Sequence, residues 1–162
     1  MGEPLACCLH GIELCNIQFG DHVTVIGGGM IGLTMVQLAK KAGASKVVLI
    51  EPVENKRKLA EEYGALLTID PINENVVEVL RNNKIKNNCV IECVGTTSTI
   101  NQAIEIADKG AKVMLYGLTS PEETVSIKPF RLFQKEITLL TSFINPFTQL
   151  RSVELLENKV ID

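Results

Sequence analysis

Short apolar runs alternate with amphipathic stretches along most of the chain. The runs Val23–Ile26, Lys46–Ile50, Ala65–Ile69, Asn88–Val94, Ala111–Tyr116 and Ile137–Ser142 are dominated by β-branched and other apolar residues and read as buried strands. Between the first two, Ile31, Met35, Leu38 and Ala42 recur at helical spacing, with Thr34, Gln37 and Lys41 on the opposite side; Gly43 stands where a helix stops. A second helix is predicted from Pro52, a favoured first helical residue, to Tyr63, ended by Gly64. Asn75–Arg81 reads as a short third helix. A fourth is capped by Thr97 or Ser98, presents Ile100, Ala103, Ile104 and Ala107, and closes at Gly110. Residues 118–136 break the rhythm: Thr124–Ile127 is predicted as an edge strand and Pro129–Gln134 as a single helical turn. Asn145-Pro146 then provides a cap and first-position proline for a last helix to Asn158.

Strands alternating with helices across short connections require an α/β fold with a parallel sheet and right-handed crossovers. The expected architecture is a doubly wound six-stranded sheet in the order 3-2-1-4-5-6, a Rossmann fold, whose crevice opens between the first and fourth strands. Residues 1–20 read as a lead-in helix and residues 21–162 as the domain proper.

The chemistry concentrates where the first strand ends. Gly27-x-Gly29-x-x-Gly32 joins a strand to a helix, and Glu51 closes the next strand. Gly27 permits the tight turn, Gly29 lets backbone approach a phosphate, and Gly32 lets the helix lie close to the strand. The first-turn amides around Met30 and Ile31 have no partner within their helix and face an anion, aided by the helix dipole. No Lys or Arg lies in the loop, so the grip is backbone in character. A carboxylate at Glu51 accepts hydrogen bonds from ribose hydroxyls and repels a 2′-phosphate, which favours NAD over NADP.

Composition narrows the partners. The 162 residues are 46% hydrophobic and carry a net charge of −3, enough for a single core and without a basic footprint for nucleic acid. Trp is absent, so no aromatic platform for stacked bases is expected. The apolar runs are too short to span a membrane, and Met1-Gly-Glu-Pro lacks the features of a secretory leader; a cytoplasmic setting is expected. Cys7, Cys8, Cys15, Cys89 and Cys93 show no zinc-type spacing and read as buried free thiols in a reducing compartment.

The segments Gly20–Gly32, Ile91–Gly95 and Lys109–Gly117 resemble the coenzyme domain of zinc-dependent medium-chain dehydrogenases. Glu3-Pro-Leu-Ala6 and Phe133–Ile137 resemble the polyol and threonine dehydrogenase branch. The resemblance implies that Gly29, Met30 and Ile31 contact the pyrophosphate and that Glu51 holds the adenosine ribose. It places Lys56 near that ribose, with Arg57 sharing the role. Val94, Gly95 and Thr96 are implied along the cofactor, and Gly117, Leu118, Ser142 and Phe143 at its nicotinamide end. In that family zinc is held chiefly by a Cys and a His-Glu pair in a separate domain not seen in this sequence. Glu3 is similar to the position near that zinc, the one such residue in the chain, and an incomplete site by itself. His10, two helical turns on, reads as a helix surface residue.

The expected function is the NAD(H)-binding half of a zinc-dependent alcohol or polyol dehydrogenase, the chain alone binding cofactor without turnover. The resemblance also implies a homodimer joined through edge strands near Thr124–Ile127. A stand-alone NAD-sensing module is the alternative. A third reading is a transferase that uses S-adenosylmethionine, which the glycine spacing suits less well.

Overall fold

The structure is a computed structural model and describes residues 2–161. Helix α1 (Gly2–Cys15) precedes β1 (His22–Ile26), α2 (Met30–Lys41), β2 (Lys46–Ile50), α3 (Glu54–Glu62) and β3 (Leu67–Ile69). The second half runs α4 (Val76–Asn82), β4 (Cys89–Glu92), α5 (Thr97–Ile106), β5 (Lys112–Leu115), α6 (Pro129–Lys135), β6 (Thr138–Thr141) and α7 (Gln149–Glu157). All strand pairings are parallel and the order is β3-β2-β1-β4-β5-β6, as the alternation of elements requires.

The period of two in each strand divides the core. Val23, Val25, Val47, Leu49, Cys89, Ile91 and Met114 face α1, α2 and α7, while Ile26, Val48, Ile50, Val90 and Val113 face α4 and α5. Both faces are covered, which is why the central strands are continuous apolar runs. Helix α1 is part of this packing: Leu5, Ala6, Cys8, Leu9, Ile12 and Cys15 are buried, and the Lys112 ammonium donates to the Cys15 carbonyl at 2.8 Å. Gln37, expected on a polar face, is buried, because α2 is covered by α1 as well as by the sheet.

Several boundaries differ from expectation, each for a local reason. Pro52 precedes α3, because the Glu51 side chain accepts the Val53 N–H at 3.0 Å and closes residues 51–53 into a turn. Thr96, rather than Thr97 or Ser98, caps α5 in a reciprocal box with Thr99. That helix ends at Ile106, since Ala107 is extended, and Gly110 lies in the following turn. Asn75 caps α4 from outside it, accepting the Glu78 N–H. Thr124–Ile127 forms no strand, which leaves β6 at that sheet edge. The last helix starts at Gln149, not at Pro146, because Phe147 is held at φ 64° and Thr148 turns its hydroxyl to the Ala6 carbonyl at 2.7 Å.

Two buried features carry measurable consequences. Asn87 ties β1 to α5: its carbonyl accepts the Thr24 hydroxyl at 2.6 Å and its amide donates to the Ile106 carbonyl at 2.8 Å. Truncating it in Asn87→Ala strands both partners and is expected to cost about 1–3 kcal/mol, read from urea unfolding. The second feature is a thiol cluster beneath α1. Burial pushes the Cys8 thiol up from 9.0 to about 12, and Cys93 also rises through burial. Cys89 rises through its hydrogen bond with Cys15 and through burial. Above the ordinary pKa of 9.0 the unfolded thiols ionise while the folded ones keep their protons, so folding stability falls as pH climbs from 9.0 toward about 12. Urea midpoints across that range should decline more steeply for the wild type than for Cys8→Ala at equal starting stability; parallel declines would contradict the assignment.

Candidate functional site

The carboxyl ends of β1, β2 and β4 meet at a crevice whose two walls are tied by buried carboxyl groups. On one wall β1 gives way to Gly27 at φ 98°, and the Gly27 N–H donates to the Ile50 carbonyl at 2.9 Å. The chain then turns into α2 so closely that a Cβ on Gly32 would run into the Gly27 carbonyl, the close helix–strand approach expected of the third glycine. Gly29 is the N-cap of α2, lies exposed and has open space where a Cβ would stand. Met30 is 53% exposed at the first helical position, and Ile31 is half-buried behind it. The first-turn amides of α2 therefore sit at the crevice with the positive end of the helix dipole.

Glu51 follows β2 and is 5% exposed. One of its oxygens accepts the Gly28 N–H at 2.5 Å and the other accepts the Val53 N–H, with the Lys56 ammonium at 3.9 Å from it. Sequence reasoning missed Gly28. A Cβ there would lie 2.8 Å from Glu51 Cγ, so the run of three glycines is needed partly to admit this carboxylate. Arg57 does not join Lys56 at the carboxylate. Its guanidinium donates to the Glu51 and Pro52 carbonyls, both at 2.7 Å, and lies 3.4 Å from Asp70, so it braces the backbone between the ends of β2 and β3. Hydrogen bonds from the Asn73 amide and the Ile72 N–H, with Arg57 beside them, hold the Asp70 carboxyl below its usual range.

The other wall is Val94, Gly95 and Thr96. Val94 is 45% exposed toward the crevice, Gly95 is at φ 81°, and Thr96 caps α5. The two walls enclose a cavity of about 400 Å³ lined by Gly27, Glu51, Pro71, Val94, Ser98 and Gln102, among others. Pro71, in the turn after β3, and Ser98 and Gln102, in α5, escaped sequence reasoning because nothing beyond turn and cap signals marks them in the sequence. A larger cavity of about 570 Å³ between α5 and α6 touches none of the predicted site residues.

Gly117 and Leu118 follow β5 and touch the Gly95 backbone, so both strand-end loops belong to one wall. Ser142 and Phe143 follow β6, further along the same carboxyl edge; Ser142 is half-buried and Phe143 is 82% exposed. Glu3 is exposed in the first turn of α1. No group of three or more His, Cys, Asp or Glu able to hold a metal exists among the described residues, so Glu3 and His10 do not build a zinc site.

The family description zinc-binding dehydrogenase matches residues 30–158. The chain belongs to the zinc-binding dehydrogenase family. Within it, the chain is 30% identical over 158 residues to erythritol/L-threitol dehydrogenase of Mycolicibacterium smegmatis, covering 96% of this chain and 43% of that protein. It is also 30% identical over 162 residues to D-arabinitol dehydrogenase 1 of Uromyces fabae, covering 96% and 46%. Among solved structures, a zinc-binding dehydrogenase from Sinorhizobium meliloti 1021 bound to NADP superposes with a TM-score of 0.95 at 42% identity, covering 99% of this chain and 48% of that one. The chain thus spans less than half the length of these dehydrogenases and corresponds to their coenzyme-binding part.

The contact between Gly28 and Glu51 is open to a double-mutant cycle. Gly28→Ala is expected to lower stability by about 1–3 kcal/mol because the new methyl collides with the Glu51 stem. In a Glu51→Ala background the same substitution should cost clearly less. Equal costs in both backgrounds, measured by urea unfolding, would place the strain elsewhere.

Proposed function

We propose that this chain is the NAD(H)-binding half of an alcohol or polyol dehydrogenase, the adenosine occupying the cavity beside Glu51 and the pyrophosphate the N-terminus of α2. The observation that carries this reading is the cavity of about 400 Å³ between the glycine turn and Val94, with the Glu51 carboxylate in its lining. Gly29, Met30 and Ile31 would present backbone amides to the phosphates, and Glu51 would accept the ribose hydroxyls. Val94, Gly95 and Thr96 would lie along the middle of the cofactor, with Gly117, Leu118, Ser142 and Phe143 toward the nicotinamide. Bound there, the dinucleotide supplies a hydride acceptor or donor. The protein's part is to fix where the ring lies against a secondary alcohol.

A carboxylate anchored by two backbone amides cannot swing away from a 2′-phosphate, which supports NAD as the preferred form. Two observations favour NADP as a second reading: the S. meliloti relative is bound to NADP, and here the Lys56 ammonium stands half-exposed beside Glu51. The reading includes cofactor binding without turnover by this chain alone. We also propose that two copies associate through the sheet edge at β6, in a cytoplasmic setting that suits five free cysteines.

Calorimetric titrations with NADH, NADPH and S-adenosylmethionine test the reading. NADH is expected to bind most tightly, and Glu51→Ala to weaken NADH by roughly tenfold while narrowing the gap to NADPH. Unchanged NADH affinity in Glu51→Ala would remove the ribose assignment, and preference for S-adenosylmethionine would overturn the function.

A further inference from the structure

Glu92 is the last residue of β4, beside Ile26 of β1 and Leu115 of β5, and its side chain is fully buried. An acid in a strand core needs a reason, because desolvating a carboxyl group is costly unless its oxygens are satisfied. The partners here are backbone. One carboxyl oxygen accepts the Val94 N–H at 2.7 Å and the Gly95 N–H at 2.9 Å, and the other lies 3.2 Å from the same Gly95 N–H. The Glu92 carbonyl accepts the Tyr116 N–H at 2.9 Å and the Gly117 N–H at 2.8 Å. One residue therefore ties down the loops after both β4 and β5. The fit leaves no slack: a Cβ on Gly117 would stand 2.8 Å from a Glu92 oxygen, and one on Gly95 would stand 2.8 Å from the Leu118 carbonyl carbon.

We infer that Glu92 is a positioning residue for the nicotinamide half of the cofactor. Its carboxyl holds the 94–96 loop, against which Gly117 and Leu118 pack, and it acts without touching the ring. The inference rests on the dinucleotide reading above and goes beyond it, since Glu92 is fully buried and its carboxyl meets the site through the backbone N–H groups of Val94 and Gly95. Its side-chain bonds are confined to one wall, and of the residues they hold only Val94 also borders the cavity beside Glu51. The glycine turn and Glu51 are bonded to each other and to β2, not to Glu92. Disturbing Glu92 should thus weaken the nicotinamide half more than the adenosine half.

The test compares the wild type with Glu92→Gln and Glu92→Ala in two measurements. Gln keeps an acceptor for Val94 but turns an NH2 donor toward the Gly95 N–H, and Ala removes both acceptor oxygens. Amide exchange should accelerate at least tenfold at Gly95 in Glu92→Gln and at both Val94 and Gly95 in Glu92→Ala, with the Gly28 amide unchanged. NADH affinity should fall by roughly tenfold and the bound nicotinamide emission should shift, while ADP-ribose affinity falls clearly less. Equal losses for NADH and ADP-ribose would mean a general loss of fold and overturn the inference, as would unaltered exchange at Val94 and Gly95. A wild-type chain that protects these amides yet binds neither ligand would overturn the dinucleotide reading itself, and with it the positioning role.

Discussion

The crevice depends on satisfying backbone amides at the carboxyl ends of parallel strands. There the sheet ladder stops, the loops turn sharply, and each buried N–H left without an acceptor would cost about 1–3 kcal/mol. Two carboxyl groups meet that need. Glu51 accepts the Gly28 and Val53 amides, joining the loop after β1 to the end of β2. Glu92 accepts the Val94 and Gly95 amides, while its carbonyl fixes Tyr116 and Gly117. The crevice between β1 and β4 is thus an opening between two separately stiffened walls. The cavity of about 400 Å³ lies between them and is lined from both sides.

The same arrangement explains the glycines as a group. Gly28 makes room for the Glu51 stem, Gly32 lets α2 approach the Gly27 carbonyl, and Gly117 leaves space for the Glu92 carboxyl and the Gly95 backbone. Carboxylates and glycines are two sides of one constraint: a bonded acid at a strand end requires a neighbour without a side chain. An exposed α2 N-terminus with no cation of its own is then what remains to meet an anion.

Much of this was legible in the sequence because it depends on periodicity and local sterics. The strand order followed from alternating runs, and Gly27–Gly32 with Glu51 followed from spacing. What escaped was tertiary. Gln37 reads as polar on any helical wheel, and only the packing of α1 over α2 buries it. Arg57 looks like a second cation for the ribose, but the carbonyls at the end of β2 and the Asp70 carboxylate claim it. Thr148 displaces Asn145-Pro146 as the start of α7 because its hydroxyl finds Ala6, 142 positions away in the chain. Glu92 sits inside an apolar run, where a single acid is easily passed over; its meaning comes from the loops it bonds.

The central claim is that a dinucleotide lies across both walls. It is tested most directly by following backbone amide resonances of this 17.7 kDa chain during titration with NADH. Shifts should appear at Gly29–Ile31, at Glu51–Val53, at Val94–Thr96 and at Gly117–Leu118, and leave α7 silent. Shifts confined to the cavity between α5 and α6, or to one wall with ADP-ribose and NADH giving the same map, would contradict the account.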